Sequence, residues 1–445
     1  MDPEARGAAT VCLIGAGASG VTVATSLHRR GISFDWFEKG SALGGLWRYD
    51  NDSGTSSAYQ SLQIDTSSKS LAYADFPVPR GWPDYLGADR VLAYLTSYAA
   101  HFGVADAVTT STEVTAVRRA GDRWAVTTDR YGTRDYDAVV VANGHLSTPR
   151  LPDFPGAFTG EQLHSHDYRT SERFRGRTVV VVGMGNSGCD IAVDLARVAD
   201  QVYLSTRRSA WILPKYVLGV PTDRWGALFS RRLKLPTPVA RTLVKLLARS
   251  TMGRQERFGI PKPAHPIYKE HATIGQELLP YVAYDWIRMK PDIAELEGDL
   301  VHFSDGSSVR ADVLLCATGY DASFPFLPDE LARSVDAGLY RRISHPEAPG
   351  LLFAGLVQPV GPTIPLVEVQ GRWIAEVLAG AVPLPDAEGM RQEIEAHRKW
   401  VAASFVGSDR YRLEVDFRSY AGQLRSDMAA SAVALPGPAG PHPTD

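Results

Sequence analysis

The sequence predicts an α/β protein with two doubly wound parallel-sheet units, and three observations carry this prediction. The first is a glycine-rich loop, Gly-Ala-Gly-Ala-Ser-Gly, at residues 15–20. The second is a similar loop, Gly-Met-Gly-Asn-Ser-Gly, at residues 183–188. The third is that each loop follows a short apolar run rich in β-branched residues, at 10–14 and 178–182, which is typical of a buried parallel strand.

A strand, a glycine-rich loop and a helix in this order form the site that binds a dinucleotide pyrophosphate. Glycines allow a sharp turn and a close approach of the phosphates, and the helix N-terminus attracts the anion. After the first loop, residues 21–30 predict a helix and residues 32–37 a second strand. The sequence therefore predicts two dinucleotide-binding, Rossmann-like domains.

The end of the second strand indicates which nucleotide the first unit binds. Glu38 follows Gly20 by 18 residues, at the position where an acid accepts hydrogen bonds from ribose hydroxyls. A carboxylate there repels a ribose phosphate. This arrangement favours FAD or NAD over NADP.

The second unit has a different ending. Its second strand, at 201–206, runs into Arg207 and Arg208, with no acid at the corresponding place. Arginines bind phosphate through charge-assisted hydrogen bonds, so the pair suits a 2′-phosphate. The order predicted is an FAD site followed by an NADPH site, with a solvated basic turn as the alternative interpretation of the two arginines.

Composition excludes several function classes. A net charge of −3, from 47 basic and 50 acidic residues, gives no electrostatic footprint for nucleic acid. Cys12, Cys189 and Cys316 are the only cysteines and lie in or beside apolar segments, which predicts buried thiols in a reducing compartment. Neither a signal peptide nor a membrane-spanning stretch is predicted, so we expect a cytoplasmic protein that does not bind membranes.

The chain is predicted to cross between the two units twice. Residues 137–144 and 312–319 share one pattern, an Asp, an apolar strand, a polar residue and a Gly, and a proline-rich connector at 149–156 marks a crossing. We predict a discontinuous FAD domain at 1–165 and 304–434 and an inserted NADPH domain at 166–303. A mainly helical insertion is expected at about 212–288, and a disordered tail at 435–445.

The segment after the connector indicates a family. Residues 158–168 contain Phe158, Gly160, His164 and Tyr168 and resemble the Phe-x-Gly-x-x-x-His-x-x-x-Tyr fingerprint of the flavin-containing monooxygenases. The resemblance covers residue 10 to about residue 375. Other segments are similar to that family in order and spacing, namely residues 38–47, 75–77, 317–320, 355–361 and 370–373.

This resemblance implies an activity. In the family, NADPH reduces bound FAD, O₂ adds to the flavin to give a C4a-hydroperoxide, and one oxygen is transferred to a nucleophilic N or S atom of a small molecule. The flavin carries the chemistry, so no metal and no protein nucleophile are required. The implied partners are FAD, NADPH, O₂ and a small-molecule substrate, and a homodimer is left open.

The resemblance also assigns residues. It implies catalytic roles for Asp65 and Gln358, and a hinge role for His164 and Tyr168. The cofactor-binding residues implied for the first unit are Gly15, Gly17, Ser19, Gly20, Glu38, Lys39, Gly45, Leu46, Trp47, Thr66 and Gln370. Those implied for the second unit and for the place where the two cofactors approach are Gly183, Gly185, Asn186, Ser187, Gly188, Arg207, Arg208, Thr318 and Gly319.

Asp65 departs from the family pattern, which places Asn there. An ionised Asp only accepts hydrogen bonds, so it must be protonated by burial or must bond to donors on a cofactor. The related Baeyer–Villiger monooxygenases carry Asp in this region, but they end the crossing motif with Trp where this chain has Tyr168. We therefore predict N- or S-oxygenation, with ketone oxygenation or uncoupled NADPH oxidation as the alternative.

Overall fold

The computed structural model describes residues 10–405 and 412–434, except Tyr268, His271 and Gln276. The tail predicted to be disordered, residues 435–445, lies outside the described residues. The fold is α/β, as predicted.

The first sheet has five parallel strands. Strand Val11–Ile14 lies at its centre and is buried along its whole length, because helices pack on the face of Val11 and Leu13 and antiparallel strands pack on the face of Cys12 and Ile14. In spatial order the strands are Leu351–Phe353, Ala138–Val141, Val11–Ile14, Phe34–Phe37 and Val108–Thr109. The helices that contribute side chains to the first of these two cores include Ala18–Arg29, Ala88–His101 and Ile364–Leu378.

The second sheet repeats this design with five parallel strands. Strand Thr178–Val182 is central, and helix Asn186–Leu195 follows it as the first helix follows Val11–Ile14. In spatial order the strands are Glu161–His164, Val313–Cys316, Thr178–Val182, Gln201–Ser205 and Ile287–Lys290. Cys12, Cys189 and Cys316 are free and buried, as predicted.

The strand order corrects the predicted domain boundaries. Glu161–His164 and Val313–Cys316 pair with each other in the second sheet, although boundaries at 165 and 304 assign both to the first unit. Val313–Cys316 also pairs with Thr178–Val182, since it follows directly from the antiparallel strands of the second unit. The sheets therefore divide the chain before residue 161 and after residue 316.

An antiparallel layer accompanies each parallel sheet. In the first unit it consists of three strands, Val114–Ala120, Arg123–Thr128 and Gly132–Tyr136. In the second unit three antiparallel strands are joined by one parallel strand from the connector, in the order Ser308–Arg310, Leu300–Phe303, Ile293–Gly298 and Gly156–Phe158. Each layer precedes the closing strand of its own parallel sheet.

The insertion lies between Gln201–Ser205 and Ile287–Lys290. It ends just before Ile287–Lys290, which forms the edge of the second sheet. Helices dominate it, with short strands added. Its helical elements are Thr222–Ala227, Leu228–Arg232, Thr237–Met252, Gln255–Phe258 and Leu278–Ala283. Its strands are Ile212–Leu213, Tyr216–Val217, Val220–Pro221 and Thr273–Ile274.

The last described elements pack on the first unit. Strand Gln358–Val360 pairs in parallel with Glu414–Asp416, and helix Phe417–Ala434 contacts helix Ile364–Leu378. The other helical elements are Gly45–Trp47, Ser68–Leu71, Ala105–Ala107, Ser171–Phe174, Asp329–Ala337 and Ala387–Ser404. Thr148–Pro149 and Tyr320–Asp321 form a two-stranded antiparallel pair between the units. Among the helices of the described residues, none combines the length and apolar character needed to cross a membrane.

Candidate cofactor and active site

The first glycine loop admits no side chain at two positions. Gly15 has φ +96°, and a Cβ added to it would lie 2.6 Å from the carbonyl oxygen of Ala142. A Cβ on Gly20 would lie 1.9 Å from the carbonyl oxygen of Gly15. Gly17 is the N-cap of helix Ala18–Arg29 without a side-chain capping bond. The first-turn amides are thus presented to an anion, as a pyrophosphate site requires.

The second loop is built in the same way. Gly183 has φ +108°, and its added Cβ would lie 2.5 Å from the carbonyl oxygen of Ala317. A Cβ on Gly188 would lie 1.9 Å from the carbonyl oxygen of Gly183. Gly185 caps helix Asn186–Leu195, again without a side-chain capping bond. Each loop therefore leans against the end of its own closing strand, and both have the form of a phosphate cradle.

Glu38 lies against the first loop. Its Oε2 accepts a hydrogen bond of 2.6 Å from the amide of Ala16, and its Oε1 accepts one of 2.7 Å from the amide of Gly40. Burial raises the pKa of Glu38, and the two amide bonds oppose that rise. Each carboxylate oxygen has a second lone pair, so Glu38 can still accept a ribose hydroxyl.

Residues 45–47 also reach the first loop. Gly45 has φ +55°, and its added Cβ would lie 2.9 Å from the Cα of Gly17. The carbonyl of Gly45 accepts a 2.8 Å bond from Nδ2 of Asn51, and the carbonyl of Leu46 accepts one of 2.8 Å from the Ser56 hydroxyl. Trp47 is partly buried against the first core. These contacts hold the segment next to the predicted phosphate cradle.

Lys39 points elsewhere. Its Nζ lies 3.0 Å from a carboxylate oxygen of Glu113, and both side chains are nearly half exposed. The chain bends at Lys39, just after the end of strand Phe34–Phe37. In this structure its ammonium pairs with Glu113 at the surface.

A turn near the C-terminus completes the first site. Gly355 has φ +84°, and its added Cβ would lie 2.2 Å from the hydroxyl of Ser19. The Gly355 amide donates a 2.9 Å bond to Oε1 of Gln370, whose Nε2 donates a 2.7 Å bond to the Tyr420 hydroxyl. The Gln370 amide is thus bonded to protein at both ends, and it supports the turn. Gln358 follows this turn, and its side chain is partly exposed.

The residues around the second loop are tied to their neighbours. Oδ1 of Asn186 accepts a 3.1 Å bond from the amide of Ile274 in the insertion. The Thr318 hydroxyl donates to the carbonyl of Arg150, and Gly319, with φ +88°, accepts a 3.0 Å bond from the Arg150 amide. Thr318 and Gly319 therefore fasten the connector to the second sheet. Ser187 lies in the first turn of the helix and is partly buried.

Arg207 and Arg208 are exposed at the carboxyl end of Gln201–Ser205, where a bound ribose would lie in a dinucleotide fold. Arg208 lies 3.9 Å from a carboxylate oxygen of Glu270. The other oxygen of Glu270 is 3.2 Å from Nε2 of His265, and both of these side chains are nearly buried. Both guanidinium groups are accessible to a phosphate.

The two predicted hinge residues are buried in the crossing. The Tyr168 hydroxyl donates a 2.6 Å bond to Asp194 on helix Asn186–Leu195, and its ring stacks on Phe174. Nδ1 of His164 accepts a 3.1 Å bond from the His166 amide, and its ring meets the edge of Tyr320 at 5.0 Å. Burial lowers the pKa of His164. Burial thus disfavours the charged form of the His164 imidazole.

Residues 59–66, here called the joining segment, run between the two sites. The Tyr59 hydroxyl donates a 3.3 Å bond to Asp190, and the Ser61 hydroxyl donates one of 2.9 Å to Asp194. Both acids lie on the helix that follows the second loop. The segment thus attaches the first unit to the cofactor helix of the second, and Thr66, partly buried, lies at its end.

Asp65 is the acid of the joining segment. Its Oδ1 is buried without a hydrogen bond partner and lies 4.0 Å from Nζ of Lys215. Burial, and to a smaller extent Asp190, raise the pKa of Asp65 to about 7, although Lys215 acts to lower it. Asp65 therefore changes charge near neutral pH.

The sequence analysis missed several residues of this region. Asn51, Asp190, Lys215, Gly355 and Tyr420 take their positions from contacts between segments far apart in the chain. Of these residues, only Gly355 could have been identified from the sequence, because it begins a segment, residues 355–361, that is similar to the family.

Two glycine substitutions should separate the cofactor sites. Gly20→Ala places a methyl group against the Gly15 carbonyl, and we expect it to lower the FAD content of the purified protein at least about tenfold. Gly188→Ala should keep FAD but weaken NADP⁺ binding by at least about tenfold. Flavin absorbance and calorimetric titration measure the two effects. Gly422→Ala, where no atom lies within 4 Å, is the control; equal losses in all three variants would contradict the assignment.

The arginine pair should determine nucleotide preference. Replacing Arg207 and Arg208 by Ala removes charge-assisted bonds to a 2′-phosphate, so the Kd for NADPH should rise about 30-fold or more while the Kd for NADH stays the same. Binding titrations with both nucleotides test this. The matched control replaces Arg118 and Arg119, an adjacent exposed pair on the antiparallel layer of the first unit. An unchanged NADPH to NADH ratio would refute the phosphate assignment.

Asp65 should make stability depend on pH. Its pKa is raised from 3.8 to about 7 in the folded protein, so the stability that its protonated form contributes is present at low pH and is lost as the pH rises through about 7. Asp65→Asn should therefore raise the free energy of unfolding at pH 8 by about 2 kcal/mol more than at pH 4. Denaturant unfolding at both pH values measures this, with exposed Asp122→Asn as control. Parallel pH curves for wild type and Asp65→Asn would contradict it.

The comparisons with known proteins agree with this geometry. The flavin-binding monooxygenase-like family model matches residues 8–434. Flavin-containing monooxygenase 5 of Rattus norvegicus is 34% identical over 433 residues, covering 92% of this chain and 80% of that protein. Flavin-containing monooxygenase 3 of Homo sapiens is 31% identical over 450 residues, covering 94% and 82%.

Solved structures are similar over almost the whole chain. S-allyl-L-cysteine S-oxygenase from Allium sativum has a TM-score of 0.70 and 27% identity, covering 94% of this chain and 88% of that one. An oxidized steroid monooxygenase bound to NADP has a TM-score of 0.72 and 20% identity, covering 95% and 98%, and shares the fold. The chain therefore belongs to the flavin-binding monooxygenase-like family and is an FAD- and NADPH-dependent monooxygenase.

Proposed function

We propose that this monooxygenase oxygenates a nucleophilic nitrogen or sulfur atom of a small molecule. The observation that carries the proposal is the joining segment, which connects the first cradle's unit to the helix after the second cradle and carries Asp65, an acid whose Oδ1 is buried. The similarity to an S-oxygenase at 27% identity supports a sulfur acceptor. The three free, buried cysteines support a cytoplasmic location.

The two cradles fit the cofactors. No Cβ could be accommodated at Gly15, Gly20, Gly183 or Gly188, so each loop packs tightly on its own backbone and strand end. The helix that follows each loop begins without a side-chain capping bond, which leaves first-turn amides for a pyrophosphate. Glu38 would hold the ribose of FAD, and Arg207 with Arg208 would bind the 2′-phosphate of NADPH. Bound FAD supplies the redox chemistry, taking electrons from NADPH and activating O₂.

The protein's own residues bind, orient and control one proton. Tyr168 and Ser61 fix helix Asn186–Leu195 through Asp194, and so orient the second cradle relative to the first unit. Gln370 holds the Gly355 turn against Ser19. Asp65, protonated, can donate a hydrogen bond as the family's Asn does; ionised, it can only accept one. Its charge therefore decides which reacting group it can stabilise.

Asp65 also favours a second candidate, the oxygenation of ketones. A buried acid with a pKa of about 7 is ionised in part of the population at neutral pH, which differs from the permanent donor that Asn provides. Related ketone-oxidising enzymes carry Asp in this region. Uncoupled oxidation of NADPH is the further alternative, since an ionised acid would not stabilise the same groups as Asn.

Three substrates in which a benzyl group and a methyl group flank the reacting atom should separate these functions. We expect benzyl methyl sulfide and N,N-dimethylbenzylamine to give a sulfoxide and an N-oxide, each carrying one atom of ¹⁸O₂, at about one product per NADPH. Phenylacetone, with a ketone in place of the heteroatom, should give little ester. Ester formation without sulfoxide or N-oxide would establish ketone oxygenation instead. Recovery of all NADPH equivalents as hydrogen peroxide with each substrate would establish the uncoupled oxidase.

A further inference from the structure

The insertion is fastened to the chain segment that carries Asp65. The amide and hydroxyl of Ser67 donate bonds of 3.0 and 2.8 Å to Asp223 of the insertion. Arg224 forms an ion pair with Asp84, and the Tyr85 hydroxyl donates to the backbone carbonyl of Lys215. These contacts fix the backbone on both sides of the hairpin that begins after Lys215.

The side chain of Lys215 is thereby directed at the joining segment. Its Nζ lies 4.0 Å from Oδ1 of Asp65 and 3.5 Å from Oε1 of Gln63, and it stands 5.4 Å from the centre of the Tyr85 ring. The side chains of Lys215 and Asp65 are only 20% and 25% exposed. An ion pair at this distance and exposure is weakly screened by solvent.

Asp65 lies between a positive and a negative side chain that come from different elements. Lys215 faces it from the insertion, and Asp190 faces it from helix Asn186–Leu195. Tyr59, on its own segment, and Cys189, on the same helix as Asp190, also interact with it. Asp190 in turn faces Lys215, Tyr59, Glu277 and Asp194, and burial raises the pKa of Asp190 to about 6.

We propose that Lys215 is a positioning residue supplied by the insertion, whose ammonium group favours the charged form of the Asp65 carboxylate and holds it in place beside Asp190. Two carboxylates with no cation beside them repel each other, and one of them takes up a proton more readily. Lys215 opposes this proton uptake. The insertion would then have a defined role, because it sets whether the acid between the two cofactor sites accepts or donates a hydrogen bond.

The test measures the charge of Asp65 without turnover. Each protein is compared, loaded with FAD, with a second version that also carries Asp65→Asn. The unfolding temperatures of the two are measured from pH 4 to 9. The pH at which their difference changes is the pH at which Asp65 ionises. Lys215→Met should move this midpoint up by about one pH unit or more relative to wild type. Lys215→Arg should restore it, and exposed Lys262→Met, in the same insertion, should leave it unchanged.

Two outcomes would overturn the proposal. One is an unchanged midpoint in Lys215→Met; the other is a midpoint that Lys215→Arg fails to restore. If Lys215→Met does not fold, Lys215→Gln serves for the same measurement. The proposal rests on the proposed function only for its catalytic consequence. A protein that forms no sulfoxide or N-oxide could still show the shifted pH midpoint in Lys215→Met. An unchanged midpoint would likewise leave the test of N- or S-oxygenation unaffected.

Discussion

The two glycine loops depend on close contacts between backbone atoms that leave no room for a side chain. The other parts of the site are arranged around these contacts. At Gly20 and at Gly188 the space for a Cβ is taken by the carbonyl oxygen of the glycine that opens the same loop. At Gly15 and Gly183 it is taken by the carbonyl of an alanine that ends the closing strand. The turn, the start of the helix and the position of the closing strand are therefore fixed together, because moving any one of them would open or close the phosphate site.

The first loop has two further neighbours that approach it equally closely. Gly45 meets the Cα of Gly17, and Gly355 meets the hydroxyl of Ser19. Asn51 and Gln370 hold these two neighbours from behind through their side-chain amides. The second loop is supported instead by the insertion, through Asn186 and Ile274. The two units thus share one core design and differ in what supports it.

Local pattern was enough to predict the first strand, the glycine loop and the second strand of each unit, because the residues that form each of these elements are close together in the chain. The domain boundaries could not be predicted from local pattern. They depend on the pairing of Glu161–His164 with Val313–Cys316, and these strands are far apart in sequence. The orientation of Lys39 and the bonding of Gln370 depend on Glu113 and on Tyr420 in the same way. Lys215 carried no sequence signal, since only its distance from Asp65 makes it notable.

The order of the strands along the chain has a consequence for synthesis. The second sheet uses strands between residues 161 and 316, so all its parts have left the ribosome before the first sheet receives its last strand, Leu351–Phe353. The first loop also waits for the Gly355 turn and, through Gln370, for Tyr420. Within the described residues, the Gly355 turn and Tyr420 therefore reach the first loop only after every strand of the second sheet has been synthesised.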